Sequence, residues 1–146
     1  MNAPFNLENG FRQMTAEQRI KRHILLQALA ENDDLNFDGE ITAENIDDVY
    51  ESVLIVEDAH HDYESDFRCS GEDTGLDSPY SRYYESRAVA RQLSDGTWVG
   101  WTYWYGGGKY GCPEDVDWMP EAYDVEMHEE TRVVKVFARK DVGESQ

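Results

Sequence analysis

Asp34, Asn36 and Asp38 stand at alternate positions ahead of Gly39, with Glu40 next and the apolar Ile41 two places beyond the glycine. A hard cation such as calcium needs several oxygens turned inward by one tight bend, and short oxygen-bearing side chains at this spacing can supply them. Asp34, Asn36, Asp38 and Glu40 are therefore the candidate metal ligands. Asn, Asp and Gly are also ordinary turn formers, so the alternative is an acidic linker between two helices that holds no ion.

The full run Asp34-Leu-Asn36-Phe-Asp38-Gly39-Glu40-Ile41-Thr42-Ala-Glu44-Asn45 resembles the calcium loop of an EF-hand. Asp34, Asn36 and Asp38 take loop positions one, three and five, Gly39 the turn at six and Ile41 the apolar eighth. The run departs at position twelve, where Asn45 replaces the bidentate glutamate and Glu44 falls one place early. The resemblance therefore implies at most weak calcium binding, and no second loop completes a pair. No other cofactor is expected.

Other groups offer less. His60, His61, Asp62, Asp66 and Cys69 could suggest a transition-metal site, but adjacent histidines in one helix or strand diverge, so a solvated loop is expected. Gly106 to Gly111 lacks the order of a phosphate-binding loop and reads as a flexible turn before Pro113. No serine, cysteine or histidine stands in a recognisable nucleophile–base frame, and the chain is not expected to be an enzyme.

Charge is the strongest signal. The 146 residues carry a net charge of -18, and the segment Glu31 to Ser78 holds 17 acids against one base, Arg68. Such a field repels nucleic acid and anionic membranes and attracts basic proteins, including those that hold DNA or RNA. Neither nucleic acid nor a membrane is expected as a direct partner. The two cysteines, Cys69 and Cys112, lack metal-site spacing and are expected to be free thiols, so their redox state is left to the structure. No run of roughly 18 apolar residues is present, and the first ten residues lack a signal-peptide pattern, so a soluble cytoplasmic protein of a bacterial cell is expected.

The elements that must position these groups follow from periodicity. Residues 1–14 read as a loosely ordered arm, pinned by Phe5, Leu7 and Phe11. Thr15 and Gln18 form a capping box ahead of a helix reaching about Glu31. Thr42 can cap a second helix, to about Asp58, whose apolar face is Ile46, Val49, Tyr50, Val53 and Leu54 and whose opposite side carries Glu44, Asp47, Asp48 and Glu51. Residues 59–84 read as an ordered acidic and aromatic loop with one short helical turn.

Residues 85–140 read as an antiparallel sheet. Ser86 to Leu93 and Thr97 to Tyr105 flank the hairpin signal Asp95-Gly96, and Ala122 to Met127 and Thr131 to Ala138 form a second hairpin across His128 to Glu130. The expected fold is a single α+β domain, two N-terminal helices packed on a four-stranded antiparallel sheet. In the strand Thr97 to Tyr105, Trp98 and Trp104 share one face and Trp101, Tyr103 and Tyr105 the other. The face that the helices leave uncovered either packs under loops or meets a partner.

The segment Tyr83 to Tyr123, above all TWVGWTYWYGGGKYG followed by PEDVDWMPEAYD, resembles small uncharacterised proteins carried by bacteriophages, prophages and plasmids. That resemblance implies a mobile-element context, in which small proteins disable host machinery. Charge and context together lead to an expected function: a non-enzymatic inhibitor that mimics nucleic acid and occupies a basic host protein of the anti-restriction or anti-CRISPR target type. Glu44, Asp47, Asp48, Glu51 and Asp58 would imitate phosphates, and Trp101, Tyr103 and Tyr105 would add specificity. The alternatives are a calcium-binding regulatory module and an aromatic-surface subunit of a phage or plasmid assembly.

Overall fold

The computed structural model describes residues 14–140. The first helix, α1 (Ala16–Glu31), starts where the capping box places it: Thr15 Oγ1 accepts from the Gln18 amide at 3.1 Å, and Gln18 Oε1 accepts from the Thr15 amide at 3.0 Å. The expected arm over residues 1–14, with Phe5, Leu7 and Phe11, lies outside the described residues apart from Met14. Ile20, Ile24, Leu25 and Ala28 are wholly buried along one stripe. Each large aliphatic contributes about 2 kcal/mol, so burial outweighs the cap in holding α1.

Thr42 stands one turn earlier than a cap: its hydroxyl accepts from the Asn45 amide at 3.2 Å and Asn45 Oδ1 accepts from the Thr42 amide at 2.8 Å, closing a turn that leaves Asn45 as the N-cap of the second helix. Helix α2 (Ile46–Tyr50) then continues through a π-helical turn, Glu51–Ile55, in which the Val56 amide reaches back five residues to the Glu51 carbonyl. Ile46, Val49, Tyr50, Val53 and Leu54 are buried, the same face that periodicity selects.

The loop expected over residues 59–84 is more structured than its composition suggests. It contains an eight-residue helix, α3 (His61–Arg68), and a short strand, β1 (Glu72–Asp73). Tyr63 and Phe67 supply an i, i+4 apolar pair that the surrounding polar residues conceal, and Phe67 is 3% exposed.

Strands β2 (Glu85–Gln92) and β3 (Trp98–Tyr105) form the expected hairpin, in register from Glu85 opposite Tyr105 to Gln92 opposite Trp98. The turn closes through Leu93 and Thr97, with Gly96 at φ 91°. The second hairpin is corrected. Only Tyr123–Val125 (β4) forms a strand, pairing antiparallel with β3, and Thr131 to Ala138 is exposed and pairs with nothing among the described residues. The link His128 to Glu130 has no Gly or Asn to take a positive φ, and β-propensity alone supplies no partner.

Among the described residues the fold is thus α+β, with three α-helices and a four-stranded antiparallel sheet in the order β1-β2-β3-β4. The expected strand number holds, but β1 takes the place of the last expected strand. One buried cluster joins the helices to the sheet through Phe67, Val89, Val99, Trp101, Trp118 and Met119. No helix among the described residues is long and apolar enough to cross a membrane.

The helix–hairpin contact contains a pH-sensitive group. His23 of α1 accepts through Nδ1 from the Ser94 amide at 3.3 Å, and its ring meets Phe67 edge-on at 5.6 Å. Burial, followed by the nearby Arg91, lowers its pKa below the ordinary 6.5. As pH falls through that ordinary value the unfolded chain takes the proton first. Stability is therefore full above about pH 6.5 and declines below it until the folded ring also titrates. His23→Gln retains an acceptor for Ser94 but has no titration, so its Tm should fall less than the wild-type Tm between about pH 7 and pH 5. Parallel Tm curves over that range would remove this role.

Candidate functional site

The acidic segment folds into the helical layer, and its charges divide into those held by the fold and those left in water. Asp47 is held: it accepts from Lys21 Nζ at 3.0 Å and from Gln18 Nε2 at 3.2 Å, tying α2 to α1. Glu64 is also held, accepting from the buried Tyr50 hydroxyl. Burial and then Glu64 push the Tyr50 pKa upward, so that hydroxyl stays a donor. Asp48 and Glu51 are exposed on the side of α2 opposite its buried residues, as the sequence predicts, and Glu44 is exposed just before them.

The helix ends in a Schellman arrangement. The Ala59 amide donates to the Leu54 carbonyl at 2.8 Å and the Asp58 amide to the Ile55 carbonyl at 2.9 Å, with Asp58 itself at φ 56°. Glycine usually occupies this left-handed position, and aspartate costs roughly 1 kcal/mol by comparison. The turn places Asp58 beside α3, where Asp58, Asp62 and Asp66 line one cleft of about 520 Å³ with Asn32, His61 and Tyr63. Asp62 and Asp66 are functional candidates that the sequence reading did not select as partner contacts. Their signal was present in the spacing 58, 62, 66, which repeats every four residues.

Arg68, the only base in the segment, is turned inward and is 7% exposed. Its guanidinium donates to the Trp104 carbonyl and lies 4.6 Å from the centre of the Tyr103 ring, while its own carbonyl accepts from Trp101 Nε1 at 3.2 Å. The cation fastens α3 to the sheet and pairs with none of the segment's carboxylates among the described residues. Asp48, Glu51, Glu57, Asp62 and Asp66 make no ion pair among the described residues.

The expected aromatic anchors divide differently. Trp101 is wholly buried against Phe67 and Trp118, at 5.0 and 5.7 Å between ring centres, so it is a core residue and does not reach a partner surface. Tyr103 and Tyr105 are half-buried, stacked on each other at 5.9 Å, with Arg68 over the first and Arg87 over the second. The more open tyrosines are Tyr80, Tyr83 and Tyr110.

Asp34, Asn36, Asp38 and Glu40 are all exposed around Gly39 at φ 120°. Asn45, at the twelfth loop position, turns its amide into the loop backbone, donating to the Glu40 carbonyl at 2.8 Å as well as accepting from Thr42. The side chain that would have to close a calcium shell is thus used to close a turn.

Among the described residues, the cluster of metal-capable side chains whose ligand atoms gather within 4.8 Å is Asp58, His60 and His61. The adjacent histidines, His60 at the N-cap of α3 and His61 as its first residue, do not diverge: their ring centres lie 3.9 Å apart. Cys69 and Cys112 are free and exposed. No family model, curated protein or solved structure matches the chain.

Proposed function

We propose that this is a non-enzymatic acidic binding protein whose α2–α3 face imitates a row of phosphates and occupies the nucleic-acid site of a basic host protein, a DNA-binding or defence protein of a bacterium. The observation that carries this reading is the separation of charges. The one base among residues 31–78 is buried, while Asp48, Glu51, Glu57, Asp58, Asp62 and Asp66 are exposed along α2, the turns that follow it and α3. Helical carboxylates three and four residues apart lie about 5–6 Å from one another, dense enough to engage successive lysines or arginines in a groove built for nucleic acid.

The resemblance of Tyr83 to Tyr123 to proteins of phages and plasmids supports the mobile-element setting. The test is retention of bacterial DNA-binding proteins on the immobilised chain at low and high salt, followed by elution with duplex DNA. Competitive elution supports the reading, and bound proteins that DNA does not displace would overturn it.

A second reading, a subunit of a phage or plasmid assembly, is favoured by one observation. Val133, Val134, Val136 and Phe137 are 68 to 101% exposed in a stretch, Thr131 to Lys140, that carries four bases and no acid. A groove of about 460 Å³ is lined by residues of all four strands, among them the apolar Ala90, Trp98 and Val125 and the acidic Glu72, Asp73 and Glu126. Apolar residues and charge both match a second copy's Thr131 to Lys140 segment. On this reading the full chain is dimeric by light scattering, and Val134→Glu with Val136→Glu is monomeric. A wild-type chain that stays monomeric at every concentration removes it.

A further inference from the structure

We propose that Asp58, His60 and His61 form a binding site for a divalent transition metal of the zinc class. Each offers one ligand atom, and the three atoms lie within 4.8 Å of one another. His61 Nε2 is 2.9 Å from Asp58 Oδ1, and the two imidazole rings are 3.9 Å apart between centres at 37°. His60 Nδ1 is shielded from water and has no hydrogen-bond partner, an unmet requirement for a polar atom in the interior.

The donor set selects the metal. Two imidazoles and one carboxylate suit zinc, cobalt, nickel or copper, whereas calcium and magnesium require mainly oxygen. Three protein ligands leave coordination positions open to water, and Asp62 and Asp66 line a cleft with two of them, Asp58 and His61, adding negative charge beside the site. The cation would also relieve repulsion among three carboxylates spaced at 58, 62 and 66. The left-handed backbone at Asp58 fits this role, because a glycine would relax the turn but remove the ligand that faces His61.

The site is distinct from the loop at Asp34 to Glu40; it shares Asp58 with the acidic face, and its test needs no protein partner. Its test uses the full chain with Cys69→Ser and Cys112→Ser, since exposed thiols are themselves metal ligands. Cobalt titration followed by its visible absorption, and zinc titration by calorimetry, should both saturate at one equivalent per chain.

His61→Ala and His60→Ala should each weaken zinc binding at least about 100-fold. Asp58→Gly should weaken it comparably without lowering the Tm, which separates ligand loss from misfolding. Millimolar calcium should not displace the cobalt spectrum. Binding that survives both histidine substitutions, or no saturation at about 1 mM metal, overturns the proposal.

Discussion

Trp101→Ala should cost about 4 kcal/mol of folding free energy, leaving the chain at the margin of stability at room temperature, since a domain of this size has only about 5–15 kcal/mol in total. The indole is wholly buried between Phe67 and Trp118 and donates to the Arg68 carbonyl. It also lies over Gly71, where an added Cβ would come within 3.0 Å of the ring and 2.8 Å of Val89 Cγ2. A strand residue that contacts α3, the turn after it and the Trp118 segment holds three parts of the chain together. Truncation would leave a cavity that those parts cannot all close at once. Trp101→Phe keeps most of the volume, loses the hydrogen bond, and should cost about half as much. Urea unfolding followed by far-UV circular dichroism measures both. A Trp101→Ala loss below about 1 kcal/mol would show that the aromatic cluster is not the keystone of the fold.

The same residue indicates what sequence can and cannot reveal. Alternation along Thr97 to Tyr105 assigns Trp101, Tyr103 and Tyr105 correctly to one face, but alternation does not say whether that face is inside. The answer depends on α3, whose apolar signal is only Tyr63 and Phe67 among polar neighbours. Local chemistry was legible where it sufficed by itself: the reciprocal bonds of Thr15 and Gln18, and the turn at Asp95-Gly96. It misled at Thr131 to Ala138, where strand propensity finds no partner among the described residues. In the candidate site, the density of negative charge could be read directly. The inward turn of Arg68, the capture of Asp47 by Lys21 and the meeting of Asp58 with His60 and His61 are products of tertiary packing.

Those tertiary details determine which carboxylates can act on a partner. Asp48→Lys, Glu51→Lys and Asp62→Lys together should weaken binding to the basic target by about 100- to 1,000-fold, because each reversal replaces an attraction with a repulsion worth roughly 1 kcal/mol or more at an interface. All three side chains are exposed and bonded to no described residue, so Tm should change little. Asp47 is omitted because its loss would release Lys21 and loosen α1 from α2. Wild-type affinity should fall at least about tenfold as salt rises from about 50 to 500 mM, and the triple variant should lose most of that dependence. Locality is the decisive comparison. Reversal of Glu114, Asp115 and Asp117, which are equally acidic and exposed but lie outside residues 31–78, should reduce affinity far less. Titrations of both triple variants against the same target distinguish a shaped acidic face from a merely acidic protein, and equal losses would reduce the proposal to net charge alone.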